Sequence, residues 1–355
     1  MALKAKERDL KLKLSRLTAL MDARGAEALR VTRAGNLAWL TGGNFLVYER
    51  GGPVAEGLVH GDSLTIITNA VEAQRLRDEE LPEGVAVEAY PWYEGGGQEG
   101  IVKRLIGEAR VVTDDELDLY EARTPLLESE RASFKSLGAE ASATVTDALT
   151  ALEPGLDERQ VAARVRFALE REGLACPVLL VAGAARLGRY RHPLPKGAPF
   201  GGVGLVVVCA ERGGLVVSLS RMLAFGEVPE RNRERLGQVL EVERAMWDAS
   251  QAGTPSFAVL KAAQDGYARV GHPDAWQEHH QGGPSGYFPR DFLITPTEAR
   301  PVQDGVAYAW NPSLPHAKSE DTILVTGGGL DNLTHDPRWP SLEVGGRSRP
   351  DILVL

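Results

Sequence analysis

The 355-residue chain has only two cysteines, Cys176 and Cys209, which excludes a disulfide framework and any cysteine-rich zinc module. It has no apolar run near the roughly 18 residues that a membrane-spanning helix needs. It has no basic cluster either: 40 Lys and Arg stand against 49 Asp and Glu, a formal charge of −9 at pH 7 and a sequence pI of about 5.4. That balance argues against nucleic acid or an anionic membrane as the main partner. Short periodic repeats and low-complexity tracts are absent. What remains is ordinary for a soluble globular protein, with 43% hydrophobic and 25% charged residues in 38.3 kDa. A chain of this size buries a sizeable core without staples. Met1 to Lys13 is charged and lacks an apolar signal core, so the expectation is a cytoplasmic protein with no export signal.

Helical spacing of Leu10, Leu14, Leu17, Leu20 and Met21 predicts a helix that stops at Gly25. Strands are expected at Ala28 to Thr32, within Gly57 to Asn69, at Val85 to Tyr90 and at Ala109 to Thr113, with a helix around Ile101 to Ile106. Strands alternating with helices imply an α/β domain with a mainly parallel sheet. Gly95-Gly96-Gly97 is a loop tip rather than a phosphate cradle, since no strand–loop–helix with Lys-Ser/Thr surrounds it. An acidic stretch from Asp114 to Arg131 marks a domain boundary, giving domains 1–125 and 126–355. Beyond it come helices near Glu128 to Leu152 and Asp157 to Glu172, with Asp157 as N-cap of the second. Strands at Val178 to Val181, Gly204 to Cys209 and Gly214 to Leu219 follow. Helices near Pro229 to Gln251 and Ser256 to Val270 then precede a strand-rich end. Helix, helix, strands, written twice, reads as a duplicated α+β unit.

The chemistry-bearing residues gather in the second half. His279-His280-Gln281-Gly282-Gly283-Pro284-Ser285-Gly286-Tyr287 sets two histidines beside glycines that admit a bound group. In an extended segment adjacent side chains point to opposite faces, so at most one of the two is expected to face a cleft. Arg191-His192-Pro193 precedes a strand, and Ala307 to Pro312 and Lys318 to Val325 read as strands with polar ends.

Several motifs occur in a telling order. They are Asn36-Leu37-Ala38-Trp39-Leu40-Thr41-Gly42, the helix pair around Pro154-Gly155-Leu156-Asp157-Glu158, and His192-Pro193. A hairpin ending in Ser218-Leu219-Ser220-Arg221 follows, then Glu320-Asp321-Thr322 with Leu333-Thr334. This pattern resembles the creatinase/prolidase/aminopeptidase P family over essentially the whole chain. The resemblance implies an N-terminal creatinase-like α/β domain, a C-terminal α+β domain of the pita-bread fold, and a homodimer. The metallopeptidases of that family hold two divalent metals with two Asp, one His and two Glu. By resemblance the two Asp positions fall at Cys209 and Ser218. The ligand His falls at Gly283, with His279 at the first His of its motif, and the first Glu at Asn311. Glu320 alone keeps the family residue.

The resemblance therefore points away from a dinuclear metal and implies a metal-independent, creatinase-like hydrolase of a C–N bond in a small amidine, amide or peptide-like ligand. His192 would move the proton. Glu320 and Asn311 would position the substrate, with Glu320 pairing His192 or a nearby cation. Arg221 or Arg290 would clamp a carboxylate, and His279, His280, Cys209 and Ser218 would line the site. Cys209 reads as a small buried residue or, in a second reading, as a nucleophile beside His192. No cofactor is expected. A single zinc on Cys209, Glu320 and either His279 or His280 is the alternative if the loop register differs. Two other functions stay open: a non-catalytic peptide- or protein-binding relative, and an Xaa-Pro-type metallopeptidase with altered ligands.

Overall fold

The computed structural model describes residues 2–47 and 51–355; Met1, which opens the charged N-terminal stretch, lies outside them. The chain forms two compact units, residues 1–127 and 128–355. Among the described residues no helix is long and apolar enough to cross a membrane.

In the first unit α1 (Ala2–Ala23) buries Leu14, Leu17 and Met21 along one stripe. Gly25, at φ 63°, turns the chain into β1 (Ala28–Val31). Next come α2 (Ala34–Thr41), β2 (Ala55–His60), β3 (Ser63–Asn69) and the single turn α3 (Ala73–Arg75). β4 (Ala86–Tyr90), α4 (Gly97–Ile106), β5 (Val111–Thr113) and a short α5 (Tyr120–Arg123) complete the unit. The sheet order is β4-β3-β2-β1-β5. Its pairing corrects the expected mainly parallel sheet: β1–β5 and β3–β4 are parallel, but β1–β2 and β2–β3 are antiparallel. The cause is local. The apolar stretch from Gly57 to Asn69 is two strands folded back at Gly61-Asp62, where Gly61 takes φ 58°. The Asn36-to-Gly42 motif is α2 itself. The carboxylate of Asp114 accepts from the backbone N–H of Thr32 and Arg33 and from the Asn36 amide, which anchors the start of that helix.

The second unit opens with α6 (Glu128–Thr150) and α7 (Glu158–Arg171), and Asp157 caps α7 in a reciprocal capping box with Gln160. Strands β6 (Ala175–Ala182), β7 (Val203–Arg212) and β8 (Leu215–Ala224) form an antiparallel sheet. A second helix pair, α8 (Glu230–Ala249) and α9 (Ser256–Arg269), leads to β9 (Gly282–Ser285) and β10 (Ala307–Trp310). The short β11 (Ser313–Leu314) and β12 (Ala317–Lys318) precede β13 (Asp321–Thr326) and β14 (Gly329–Asn332). The chain ends with the hairpin β15 (Ser341–Val344) and β16 (Arg347–Pro350), then β17 (Leu353–Val354), which adds in parallel to β8.

The two sheets, β17-β8-β7-β6 and β14-β13-β10-β9, meet where Ser220 bridges Glu320. Val-rich β7 and β8 are buried on both faces, so they read as apolar runs rather than alternating strands. Their inner residues join Val239, Met246, Leu260, Tyr308 and Trp310 in one core. The Trp310 indole N–H donates to Ser250 Oγ at 2.9 Å, satisfying the polar atom of a fully buried ring. The first of these sheets carries Cys209, Ser218 and Ser220.

Candidate functional site

The hairpin register pairs Cys209 with Ser218 and Val207 with Ser220. Residues two apart on a strand share a face, so Ser218 and Ser220 point the same way and Arg221 points the other. Glu320 and Asp321 divide in the same manner. On one side, Glu320 Oε2 accepts from Ser220 Oγ at 2.9 Å and lies 2.9 Å from Lys318 Nζ. Its Oε1 lies 2.7 Å from Arg290 Nη2. Arg290 also donates to Ser218 Oγ at 3.1 Å, and Ser218 Oγ meets Cys209 Sγ at 3.3 Å. All of these groups except Arg290 are almost wholly buried.

The histidines come from two loops. His192 lies in the segment after β6, and His279 and His280 lie between the short helical turn Ala275–Glu278 and β9. Arg191 and Glu278, the preceding residues of each loop, form an ion pair that ties the two together. His192 Nε2 and His279 Nε2 are 3.0 Å apart, and His279 Nδ1 is 3.2 Å from Ser313 Oγ. The expectation that only one of His279 and His280 faces the cleft is corrected. Their ring centroids lie 4.6 Å apart, and both approach His192. Alternation holds for a regular pleat, and this pair precedes the strand, which begins only at Gly282. A cavity of about 200 Å³ adjoins the rings, lined by Trp276, His279, His280, Gln281, Ile294 and Pro296 among others.

Burial, then the charge of Lys318, lowers the proton affinity of His192 and His279, the latter to about 2. Burial, then Arg290, lowers His280 to about 4. All three rings are therefore neutral at pH 7. Burial and the nearby Glu320 push the Cys209 thiol up, so it is held as a thiol, which removes the activated-nucleophile reading.

Other expected residues are also repositioned. Arg221 is not a carboxylate clamp for a ligand: it is buried and donates to Asp321 Oδ1 at 3.0 Å, Thr334 O at 2.6 Å and Ser220 O at 2.9 Å. Glu320 does not pair with His192; its oxygens are taken by Lys318, Arg290 and Ser220. Nor does the zinc alternative on Cys209, Glu320 and a histidine form. Among the described residues, the one group of three or more such ligands close enough for a metal is His192, His279 and His280. Asn311 sits beside Gln281 through a backbone bond, and its buried Oδ1 has no partner. Lys318 was not singled out as a site residue. The signal was present, since it lies two residues before Glu320 in extended chain and so shares its face.

Burial alone would raise the Glu320 carboxyl, but Lys318 and Arg290 outweigh it and hold it down to about 2, against an ordinary 4.5. A folded value below the unfolded one stabilises the fold above about pH 4.5 and does so less as the pH falls toward 2. Glu320→Gln, less stable than wild type at pH 7, is therefore expected to lose less stability over that acid range, by on the order of a few kcal/mol. Urea denaturation at several pH values measures this; equal losses in both proteins would assign acid sensitivity to other carboxyls.

Residues 134–327 match the model of metallopeptidase family M24, and residues 13–164 match the creatinase/prolidase N-terminal domain. The chain belongs to metallopeptidase family M24, with a creatinase-type N-terminal domain and a pita-bread C-terminal domain. An Xaa-Pro dipeptidase of Pyrococcus horikoshii is 22% identical, over 92% of this chain and 97% of its own length. Two solved structures share the fold. The prolidase of Pyrococcus horikoshii has a TM-score of 0.76 at 19% identity, over 92% of this chain and 99% of its own. The X-Pro aminopeptidase of Thermotoga maritima has a TM-score of 0.78 at 16% identity, over 96% and 99%.

Proposed function

We propose that the protein is a hydrolase of a C–N bond in a small peptide-like, amide or amidine substrate, and that it works without the dinuclear metal centre of its relatives. A homodimer and a cytoplasmic setting belong to the same proposal. The observation that carries it is the pair of cations on Glu320. At the positions where the resemblance expects carboxylates stand neutral Cys209, Ser218 and Asn311, and Lys318 and Arg290 close on the one carboxylate that is kept. That leaves a local charge of +1 (two cations, one anion), where two divalent ions need several carboxylates to offset their repulsion. The donor set does not suit such a pair of ions.

The chain's own residues supply another chemistry. His192 and His279, neutral and nitrogen to nitrogen at 3.0 Å, form a pair through which a proton can pass. His192 takes a proton from the attacking water, and the same pair returns it to the leaving nitrogen. Ser313 fixes the orientation of His279. Lys318 and Arg290 supply positive charge for a developing oxyanion, and the free Asn311 Oδ1 accepts from a substrate N–H. Glu320 acts here by holding the two cations in place.

The test is hydrolysis of Xaa-Pro dipeptides and small amidines by protein stripped with EDTA, with metal content read by mass spectrometry. Activity that survives stripping and is unchanged by adding Mn²⁺ is expected. Activity only with Mn²⁺, at two ions per chain, would restore the dinuclear peptidase. Peptide binding with no turnover under any condition would make this a non-catalytic binding protein.

A further inference from the structure

We propose that His192, His279 and His280 form a site for a single transition-metal ion of the kind that favours imidazole, with Zn²⁺ and Co²⁺ as its test ions. Neither the family's carboxylate-rich centre nor the zinc set expected from the sequence uses this trio. One ring nitrogen of each histidine lies within 4.8 Å of the other two. A tetrahedral ion with metal–nitrogen bonds of about 2.0–2.1 Å holds its nitrogens roughly 3.3 Å apart. The His192–His279 pair, at 3.0 Å, thus opens by only a few tenths of an ångström, and the third ring closes by about 1.5 Å at most. His192 is the exposed member and is the ring free to adjust.

Three further observations favour an ion here. Ser313 Oγ sits on His279 Nδ1, leaving Nε2 to face the other rings, which is how metal-binding histidines are oriented. His280 Nδ1 is buried without a hydrogen-bond partner, a group with unused bonding capacity in the same cluster. The adjoining cavity of about 200 Å³ leaves space for a fourth ligand, water or substrate. Lys318 and Arg290 oppose a dication, and Glu320, at 2.9 and 2.7 Å from them, offsets one of the two charges, so three imidazoles have to outweigh a net +1. With nitrogen donors only, the site selects against Mg²⁺, Ca²⁺ and Mn²⁺, which seek oxygen.

An ion on His192 occupies the nitrogen that would otherwise move a proton, so the metal acts as an off-switch; that consequence rests on the hydrolase reading, whereas the binding does not. The experiment uses full-length protein stripped with EDTA, titrated with Co²⁺ by visible absorption and with Zn²⁺ by calorimetry. One ion per chain, a four-coordinate cobalt spectrum and no competition from Mg²⁺ are expected. His192→Ala and His280→Ala, on separate loops and checked by circular dichroism, should each weaken binding more than about tenfold. No binding by the wild type, or unchanged affinity in both variants, overturns the site. Because the readout needs no turnover, cobalt binding without hydrolysis would defeat only the hydrolase reading. Hydrolysis without cobalt binding would defeat only the metal site.

Discussion

Replacing His192 with Asn is expected to lower kcat by about 10²- to 10⁴-fold, the usual contribution of a positioned acid–base group. The fall should come with little change in KM or in stability. His192 is exposed on a loop, so its side chain is not part of the core. Asn keeps a polar group able to bond His279 but has no nitrogen that can take up a proton. The loop itself stays tied through Arg191 and Glu278. Steady-state kinetics on whichever substrate the stripped protein cleaves gives the answer. An unchanged kcat would remove His192 from the mechanism and leave the site without a proton carrier.

The second large effect is on stability. Arg349→Met is expected to cost about 3–5 kcal/mol, because it strips one buried carboxylate, Glu243, of its cation and a second, Asp321, of one of its two. Arg349 lies 2.7 Å from Glu243 and 2.9 Å from Asp321, and Asp321 in turn holds Arg221 at 3.0 Å. The chain of charges Glu243–Arg349–Asp321–Arg221 is thus balanced two against two. Burial already pushes the Glu243 carboxyl up, despite Arg349 and the Ser319 hydroxyl that donates to it. Without Arg349 that carboxyl has no cation against it, and the stacking of the guanidinium over Trp247, at 4.1 Å, is lost as well. The transition should fall by about 10 °C for a unit of this size. Thermal or urea denaturation checks it; a loss below about 1 kcal/mol would mean that water reaches the carboxyls or that they pick up protons at little cost.

Much of the second unit was legible because its elements obey simple periods. The helices from Glu128 and Glu158, the Asp157 cap and the Val-rich hairpin all stand near their expected places. The first unit's sheet was misread because Gly61-Asp62 is a weak turn signal inside a long apolar stretch. In the site, the errors share one physical origin. Arg221 and Asp321 are each one residue from a site-facing neighbour, Ser220 and Glu320, and the pleat sends them into the interior ion network. Strand alternation, applied at those two positions, would have separated the groups. It would also have brought Lys318 in beside Glu320. The same rule misled at His279 and His280, where the chain is not yet a strand. That three histidines from two loops converge depends on tertiary packing, which no local pattern records.

The Lys318–Glu320–Arg290 arrangement also bears on how this scaffold is to be re-engineered. Placing aspartates at 209 and 218 would add negative charge next to the two cations on Glu320, of which Arg290 lies at hydrogen-bond distance from Ser218. The new carboxylates would satisfy those side chains before any ion from solution. Building a carboxylate-rich metal centre between these strands is thus a task of subtraction first: Lys318 and Arg290 have to leave Glu320 before an ion can take their place there.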